Sequence, residues 1–322
     1  MKASPAAPVL PQRILVIRLS AFGDVIHTIP AVVALRRALP GTEIAWAVEP
    51  AYRELVEIVA GVAVIPAPLK RWSGKLLSSR RDIRNLTRSL RAFAAGETAI
   101  DFQGLAKSAL VARVSGASQR YGFHPESARE RLSTWLTNHH VRIDAHEHVI
   151  DWNLRLARAV APGLDCALPV DFTPFASDPL GRLSHLAGRV VLLPAAGRPE
   201  KQWPADRFRE LAERIGPRAL VAWGPGEEEL ARHVSAELAP PTSFRELAHL
   251  LRHASLVIGG DTGPLHLAAA LGTPVIGLYG PTDPGRNGPY GQLDRVVESF
   301  TSTRSMDAIP LDSVMGLLGN SP

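Results

Sequence analysis

Residues 259–272 read Gly-Gly-Asp-Thr-Gly-Pro-Leu-His-Leu-Ala-Ala-Ala-Leu-Gly. The apolar run 254–258 before them predicts a buried strand, and 273–279 predicts a second one. A glycine-rich turn therefore joins a strand to a short apolar helix. The start of a helix offers free backbone N–H groups and a partial positive charge, a combination suited to a phosphate or diphosphate. Thr262 and His266 add side-chain donors one helical turn apart. The same residues also suit an ordinary capped helix. Asp261 or Thr262 would then be the N-cap, with Pro264 near the first turn and Gly272 after the last. His266 favours the phosphate reading, because its neighbours are small or apolar and a buried imidazole needs a partner.

A second strand, loop and helix start occurs at 18–30, Arg-Leu-Ser-Ala-Phe-Gly-Asp-Val-Ile-His-Thr-Ile-Pro. It has neither the three spaced glycines of a dinucleotide fingerprint nor the Gly-Lys-Ser/Thr of a P-loop. Asp24 stands where the helix begins. It is either an N-cap or a carboxylate kept ionised by the helix dipole and available as a base. Lys201, in the loop 194–204, is placed to offset phosphate charge or is simply solvated. The acidic run Glu227-Glu228-Glu229 follows a predicted strand at 219–223. Such a carboxylate accepts hydrogen bonds from ribose hydroxyls in other nucleotide sites, and it also suits the first turn of a helix.

Alternating elements must position these residues. In the first half, strands are expected at 13–19, 43–48, 63–65 and 98–101. Helices are expected at 24–39, 51–59, 79–95, 108–114 and 146–160, and 133–141 stays open. The proline-spaced stretch 162–179 reads as an interdomain linker. The pattern then restarts, with strands at 189–193, 219–223 and 256–258 and helices at 204–215, 227–238 and 244–253. Repeated βα units imply parallel sheets with helices on both faces. The expected fold class is α/β, with two doubly wound domains at 1–170 and 171–322, the last helix being free to return to the first. Ligands in such folds bind outside the carboxyl ends of the strands.

The 322 residues are 46% hydrophobic and 21% charged, as in an ordinary globular protein. The one cysteine, Cys166, excludes an internal disulfide framework and a cysteine-rich zinc site. The formal charge is +5 and the sequence pI about 9.7, which points to an anionic partner. Basic residues crowd 70–91, with Asp82 the only acid among them, so this segment reads as a surface for anionic lipid. No run is long and apolar enough to span a bilayer, and 1–11 lacks the plan of a signal peptide. These features lead us to expect a cytoplasmic protein with peripheral membrane contact. A nucleic-acid partner is not expected, because the aromatic and basic interleaving of the usual modules is missing.

Several of these loops together resemble the ADP-heptose:lipopolysaccharide heptosyltransferases, glycosyltransferase family 9, and within it the heptosyltransferase I group. The resemblance rests on 18–30, Asp101-Phe102-Gln103-Gly104-Leu105-Ala106-Lys107-Ser108, Ala128-Arg129-Glu130, Lys201-Gln202-Trp203-Pro204, 261–270 and 277–282. It implies a GT-B fold, two Rossmann-like domains facing across a cleft, with the acceptor mostly on the first and the nucleotide sugar mostly on the second. It implies inverting transfer of L-glycero-D-manno-heptose from ADP-heptose to a Kdo hydroxyl of Kdo2-lipid A at the inner membrane, with no cofactor or metal required. Carried over by motif position, Asp24 is the general base. Lys201, Thr262, Gly263 and His266 hold the diphosphate, while Asp261 caps the turn or touches the donor. Glu227 or Glu228 binds the ribose. Arg18, Lys70, Arg71, Lys75, Gln103 and Arg129 meet the acceptor. One departure stands out: Ala196-Gly197 occupy positions where relatives often carry hydroxyl residues before the lysine. The competing expectations are a family member with another donor or acceptor, and a non-catalytic nucleotide-sugar-binding protein.

Overall fold

The computed structural model describes residues 10–72, 78–165, 170–235 and 237–319. The first run of elements is β1 (Arg13–Ile17), α1 (Phe22–Ala38), β2 (Glu43–Val48), α2 (Arg53–Val56), β3 (Val62–Pro66), α3 (Leu69–Trp72), α4 (Arg80–Ala94), β4 (Thr98–Asp101), α5 (Ala106–Val114), β5 (Gln119–Phe123), β6 (His139–Val141) and α6 (Val149–Val160). The second is β7 (Val190–Leu193), α7 (Ala205–Ile215), β8 (Ala219–Val221), α8 (Glu228–Val234), α9 (Phe244–Arg252), β9 (Leu256–Gly260), α10 (Gly263–Ala270), β10 (Val275–Tyr279), α11 (Pro284–Asn287), β11 (Val296–Glu298) and α12 (Leu311–Gly319).

Two parallel sheets result, ordered β3-β2-β1-β4-β5-β6 and β11-β10-β9-β7-β8. A parallel sheet covered on both faces needs continuous apolar strands, and β1 meets this with Ile14, Leu15, Val16 and Ile17, all fully buried. In register, Val16 lies opposite Trp46 and Ile100, while Ile258 lies opposite Leu192 and Ile276. The strand order reverses between β1 and β4 in one sheet and between β7 and β9 in the other. Such reversals open a crevice at the strand carboxyl ends. The segments that follow β1, β4, β7 and β9 carry Asp24, in the first turn of α1, and Gln103, Lys201 and Asp261.

The described residues form two compact units. One holds residues up to Ser20, then 28–145, and the chain from Ile150 towards the linker. The other holds Ala21–His27, His146–Val149 and the residues from 170 onward. The loop and first turn of α1, with Asp24, therefore belong to the second unit, although the sequence groups them with the first half. Residues 166–169 of the expected linker lie outside the described residues. The closing helix α12 packs on α7 and β10 of its own unit, burying Leu311 and Val314.

Three strands escape the sequence pattern: β5, β6 and β11. β5 reads Gln-Arg-Tyr-Gly-Phe, and β6 and β11 are three residues long. β6 and β11 are sheet edges, where very short strands limit the unpaired backbone and are too brief to show alternation. The helix expected over 51–59 is a 3₁₀ turn, Pro50–Tyr52, followed by the single turn α2. No helix among the described residues is long and apolar enough to cross a membrane.

Trp203 ties the second core to the loop that carries Lys201. It is 1% exposed, meets Phe208 edge-on at 5.0 Å, and donates from Nε1 to the Ile309 carbonyl at 3.1 Å. Trp203→Ala should cost about 3–5 kcal/mol through the cavity it leaves. Trp203→Phe should cost only about 1 kcal/mol, because Arg207 also donates to the Ile309 carbonyl. Urea unfolding of the two variants checks the ordering.

Candidate active site

β9 delivers the chain to Gly259 and Gly260 with every residue buried. A Cβ on Gly260 would stand 2.9 Å from the Lys201 carbonyl oxygen, so glycine here lets the Lys201 backbone come close. Lys201 ends a 3₁₀ turn, Pro199–Lys201, in the loop after β7. Its Nζ donates to Asp261 Oδ2 at 2.6 Å. The other oxygen, Asp261 Oδ1, accepts from His266 Nε2 at 2.9 Å. One carboxylate thus joins the loops after β7 and β9 across the strand-order reversal. Burial alone would raise the Asp261 pKa, but the hydrogen bond and charge of His266, with the Lys201 ammonium, outweigh it. The group is held well below the usual carboxylate range.

Asp261 does not cap the turn. Thr262 occupies the N-cap position of α10, and its hydroxyl makes no capping bond. Thr262 Oγ1 and His266 Nδ1 are both buried with no hydrogen-bond partner among the described residues. They stand at the helix start with Gly263, where the first N–H groups are uncommitted by helix geometry. A hydroxyl, an imidazole nitrogen, a lysine and a helix N-terminus converge there, as the sequence suggests. In the loop before Lys201, a Cβ on Gly197 meets no atom within 4 Å.

The Asp24 loop rests on this helix start. A Cβ on Gly263 would fall 1.7 Å from Phe22 Cδ1, and one on Gly23 would fall 2.9 Å from His266 Cδ2 and 3.5 Å from the Gly263 Cα. Neither position admits a side chain. Phe22 in turn stacks on Phe244 at 4.8 Å. Asp24 Oδ2 accepts from the Ala21 N–H at 3.4 Å, a long bond that steadies the first turn of α1. Sequence reasoning set Asp24 and the 259–272 motif in separate halves; these contacts bring them together within one unit.

Two histidines complete the cluster and were missed. His27 lies three residues beyond Asp24 on α1, its ring 4.3 Å from His266 and 5.6 Å from His148. Burial, then His266 and His148, push its pKa well below the ordinary value, against the pull of Asp24 and Asp261. His148 donates from Nε2 to the Gly288 carbonyl at 3.0 Å, and burial holds its pKa at about 4. Both rings are therefore neutral at pH 7 and serve as packing beneath the charged groups. The spacing of His27 from Asp24 was a usable signal; His148 sat in a segment without one.

The glutamate run separates in the structure. Glu227 turns back to accept the Gly224 N–H at 2.7 Å, at the carboxyl end of β8. Glu228 turns away to pair with Arg232 at 2.5 Å.

In the first unit, Arg18 and Gln103 lie inside, each 2% exposed. Arg18 Nη1 donates to the Phe102 carbonyl, and Gln103 Oε1 accepts the Leu19 N–H at 2.9 Å. They tie the loops after β1 and β4 together. Asp101 accepts the N–H groups of Gln103 and Gly104 and the Ser108 hydroxyl. Burial still pushes its pKa up to about 6 against those bonds and Arg18. Arg129 is exposed, beside Glu130, whose N–H donates to the Gly104 carbonyl and whose carboxylate accepts the Ala106 N–H. Lys70 and Arg71 are exposed on α3, with the Lys70 ammonium 5.7 Å from the Tyr52 ring centroid. Lys75 lies outside the described residues.

Two parallel α/β sheets of six and five strands are those of the GT-B glycosyltransferase fold. The model of glycosyltransferase family 9 (heptosyltransferase) matches residues 83–308, and the chain belongs to that family. Lipopolysaccharide heptosyltransferase 1 of Escherichia coli strain K12 is 33% identical over 302 residues, covering 88% of this chain and 92% of its own. The E. coli heptosyltransferase WaaC solved with ADP has a TM-score of 0.82 at 29% identity, over 96% of this chain and 100% of that one. Solved with ADP-2-deoxy-2-fluoro heptose, WaaC has a TM-score of 0.79 at 28% identity, over the same 96% and 100%.

Asp261→Asn should cost about 2–3 kcal/mol at pH 7, because Lys201 and His266 lose a buried charged acceptor. The folded pKa of Asp261 lies below its unfolded value, so the wild-type advantage is complete above about pH 4. It is lost as the pH falls through the folded value. Melting both proteins at neutral and acid pH tests this; an advantage that grows on acidification contradicts it.

Proposed function

We propose that this heptosyltransferase moves L-glycero-D-manno-heptose from ADP-heptose to a Kdo hydroxyl of Kdo2-lipid A, in lipopolysaccharide core assembly, as a peripheral protein at the cytoplasmic face of the inner membrane. The observation that carries the reading is the Asp24 loop packed on the start of α10. That packing supports a carboxylate acting together with a helix start suited to a diphosphate. The WaaC structures with ADP and with a fluorinated ADP-heptose support the donor assignment.

Inversion needs one in-line displacement. Asp24 takes the proton of the acceptor hydroxyl as its oxygen bonds to the anomeric carbon. The bond from that carbon to the diphosphate breaks on the opposite face, and its electron pair leaves on a phosphate oxygen. Lys201, the Thr262 hydroxyl, the Gly263 N–H and His266 counter the negative charge that develops there. Glu227 binds the adenosine ribose, because its carboxylate stays at the strand end while Glu228 is engaged by Arg232. Lys70, Arg71, Lys75 and Arg129 take the anionic groups of the acceptor. Arg18 and Gln103 act through the loops they tie, as positioning residues.

Incubation of the protein with ADP-heptose and Kdo2-lipid A, read by mass, should give a product one heptose heavier. Asp24→Asn keeps the acceptor for the Ala21 N–H and should retain ADP affinity, yet lower kcat by about 10²–10⁴-fold; an unchanged kcat refutes the base assignment. Glu227→Gln should weaken ADP binding severalfold by calorimetry, while Glu228→Gln leaves it unchanged. Ala196-Gly197 favour a second reading, a family member with another donor or acceptor. Binding of ADP-heptose without any heptose adduct would select it.

A further inference from the structure

Helix α4 carries arginines at 80, 81, 84, 88 and 91, all exposed. At 3.6 residues per turn they fall within an arc of roughly 100°, along a helix about 22 Å long. The opposite side of α4 buries Leu90 and Ala94 in the core of the first unit. Asp82, its one acid, points roughly 100° outside the stripe. None of the five is ion-paired among the described residues; Arg88 reaches only the Asn85 side chain and Arg91 the Val114 carbonyl. Five like charges on one face repel one another, and such a face is stabilised by an anionic partner.

A second feature lies in the same layer. α5 packs beside α4, and the 3₁₀ turn Arg131–Trp135 packs beside α5. These two neighbours expose Leu110 at 50%, Leu132 at 56% and Trp135 at 81%, where an isolated soluble surface gains nothing from them. Exposed tryptophan and leucine in the same layer as a basic helix face are the composition of a bilayer-contact surface, with the indole at headgroup depth and the cations on phosphates. Nucleic acid fits less well, because the arginine stripe holds no aromatic side chain on which a base could stack.

We propose that the outer face of α4, α5 and the turn 131–135 docks the protein on an anionic phospholipid bilayer. The arginines of α4 engage headgroup phosphates in the bidentate fashion open to guanidinium, and Trp135 with Leu132 enters the interface. This rests on the reading of the chain as a transferase of a lipid-anchored acceptor, and it assigns the surface that meets the membrane. None of these residues belongs to the donor or acceptor site.

Flotation of the full-length protein with phosphatidylethanolamine vesicles, with and without phosphatidylglycerol and free of Kdo2-lipid A, tests it. Wild type should float only with the anionic vesicles, and less as salt rises. The triple variant Arg80→Gln, Arg84→Gln, Arg88→Gln should lose on the order of 100-fold in partitioning, taking each basic residue near the surface as worth about fivefold. Trp135→Ser should lower partitioning severalfold without altering its salt dependence. Circular dichroism and transfer to a deacylated, soluble acceptor should match wild type in both variants. The proposal is overturned if the triple variant floats like wild type, or if wild type floats only when Kdo2-lipid A is present. It is also overturned if the substitutions abolish a dimer or RNA binding while leaving flotation intact. Flotation needs neither donor nor acceptor, so failed transfer with normal flotation removes the functional reading alone.

Discussion

One carboxylate sets the geometry of the second unit. Asp261 accepts from Lys201 on one oxygen and from His266 on the other. Its partners come from the loop after β7 and from the second turn of α10. The bond pair therefore spans the place where the strand order reverses, the only part of an open sheet where neighbouring loops diverge. The link adds a charged tie to the Lys201 loop, beside the Gly260 contact and the Trp203 anchor further along. With it, a lysine and an imidazole are fixed beside a helix N-terminus before any ligand arrives.

Close approach is the second constraint, and glycine supplies it. Gly260 admits the Lys201 carbonyl, Gly263 admits the Phe22 ring, and Gly23 admits the His266 ring. Each contact lies at or below the distance at which a Cβ fits. The consequence is that the first turn of α1, the start of α10 and the β7 loop pack with only the Phe22 and His266 rings at their contacts. Polar groups are thereby concentrated in a volume that larger residues would have filled. The neutral rings of His27 and His148 close the remaining space.

Much of this was legible beforehand. The strands β1, β2, β4, β7, β9 and β10 are apolar runs between turn signals, so period and length sufficed. The two strand–loop–helix motifs carry residues that only a few kinds of site use together. What the sequence concealed has physical causes. β6 and β11 are short edges, and β5 is interrupted by Gly122, whose missing side chain makes room for Thr137. The membership of Ala21–His27 in the second unit depends on a contact between glycines far apart in the chain, which local pattern does not encode. The family resemblance sets Arg18 and Gln103 on the acceptor. They are interior because buried loop backbone must be paired, and long polar side chains reach it: the Phe102 carbonyl from Arg18, the Leu19 N–H from Gln103.

Asp261 poses the sharpest question of charge. A carboxylate beside a diphosphate is repulsive, which is why the sequence suggested a capping role. The structure answers differently: its charge is already balanced by the two cationic or donor groups that a diphosphate would also seek. A phosphate arriving at this helix start would meet Lys201 already paired with Asp261. Lys201 keeps a quarter of its side chain exposed, while Asp261 and His266 are almost enclosed. The pair that orients the lysine is thus the enclosed part of the triad. Charge on a departing diphosphate would be met by a cation already aimed, so little reorganisation would accompany its departure.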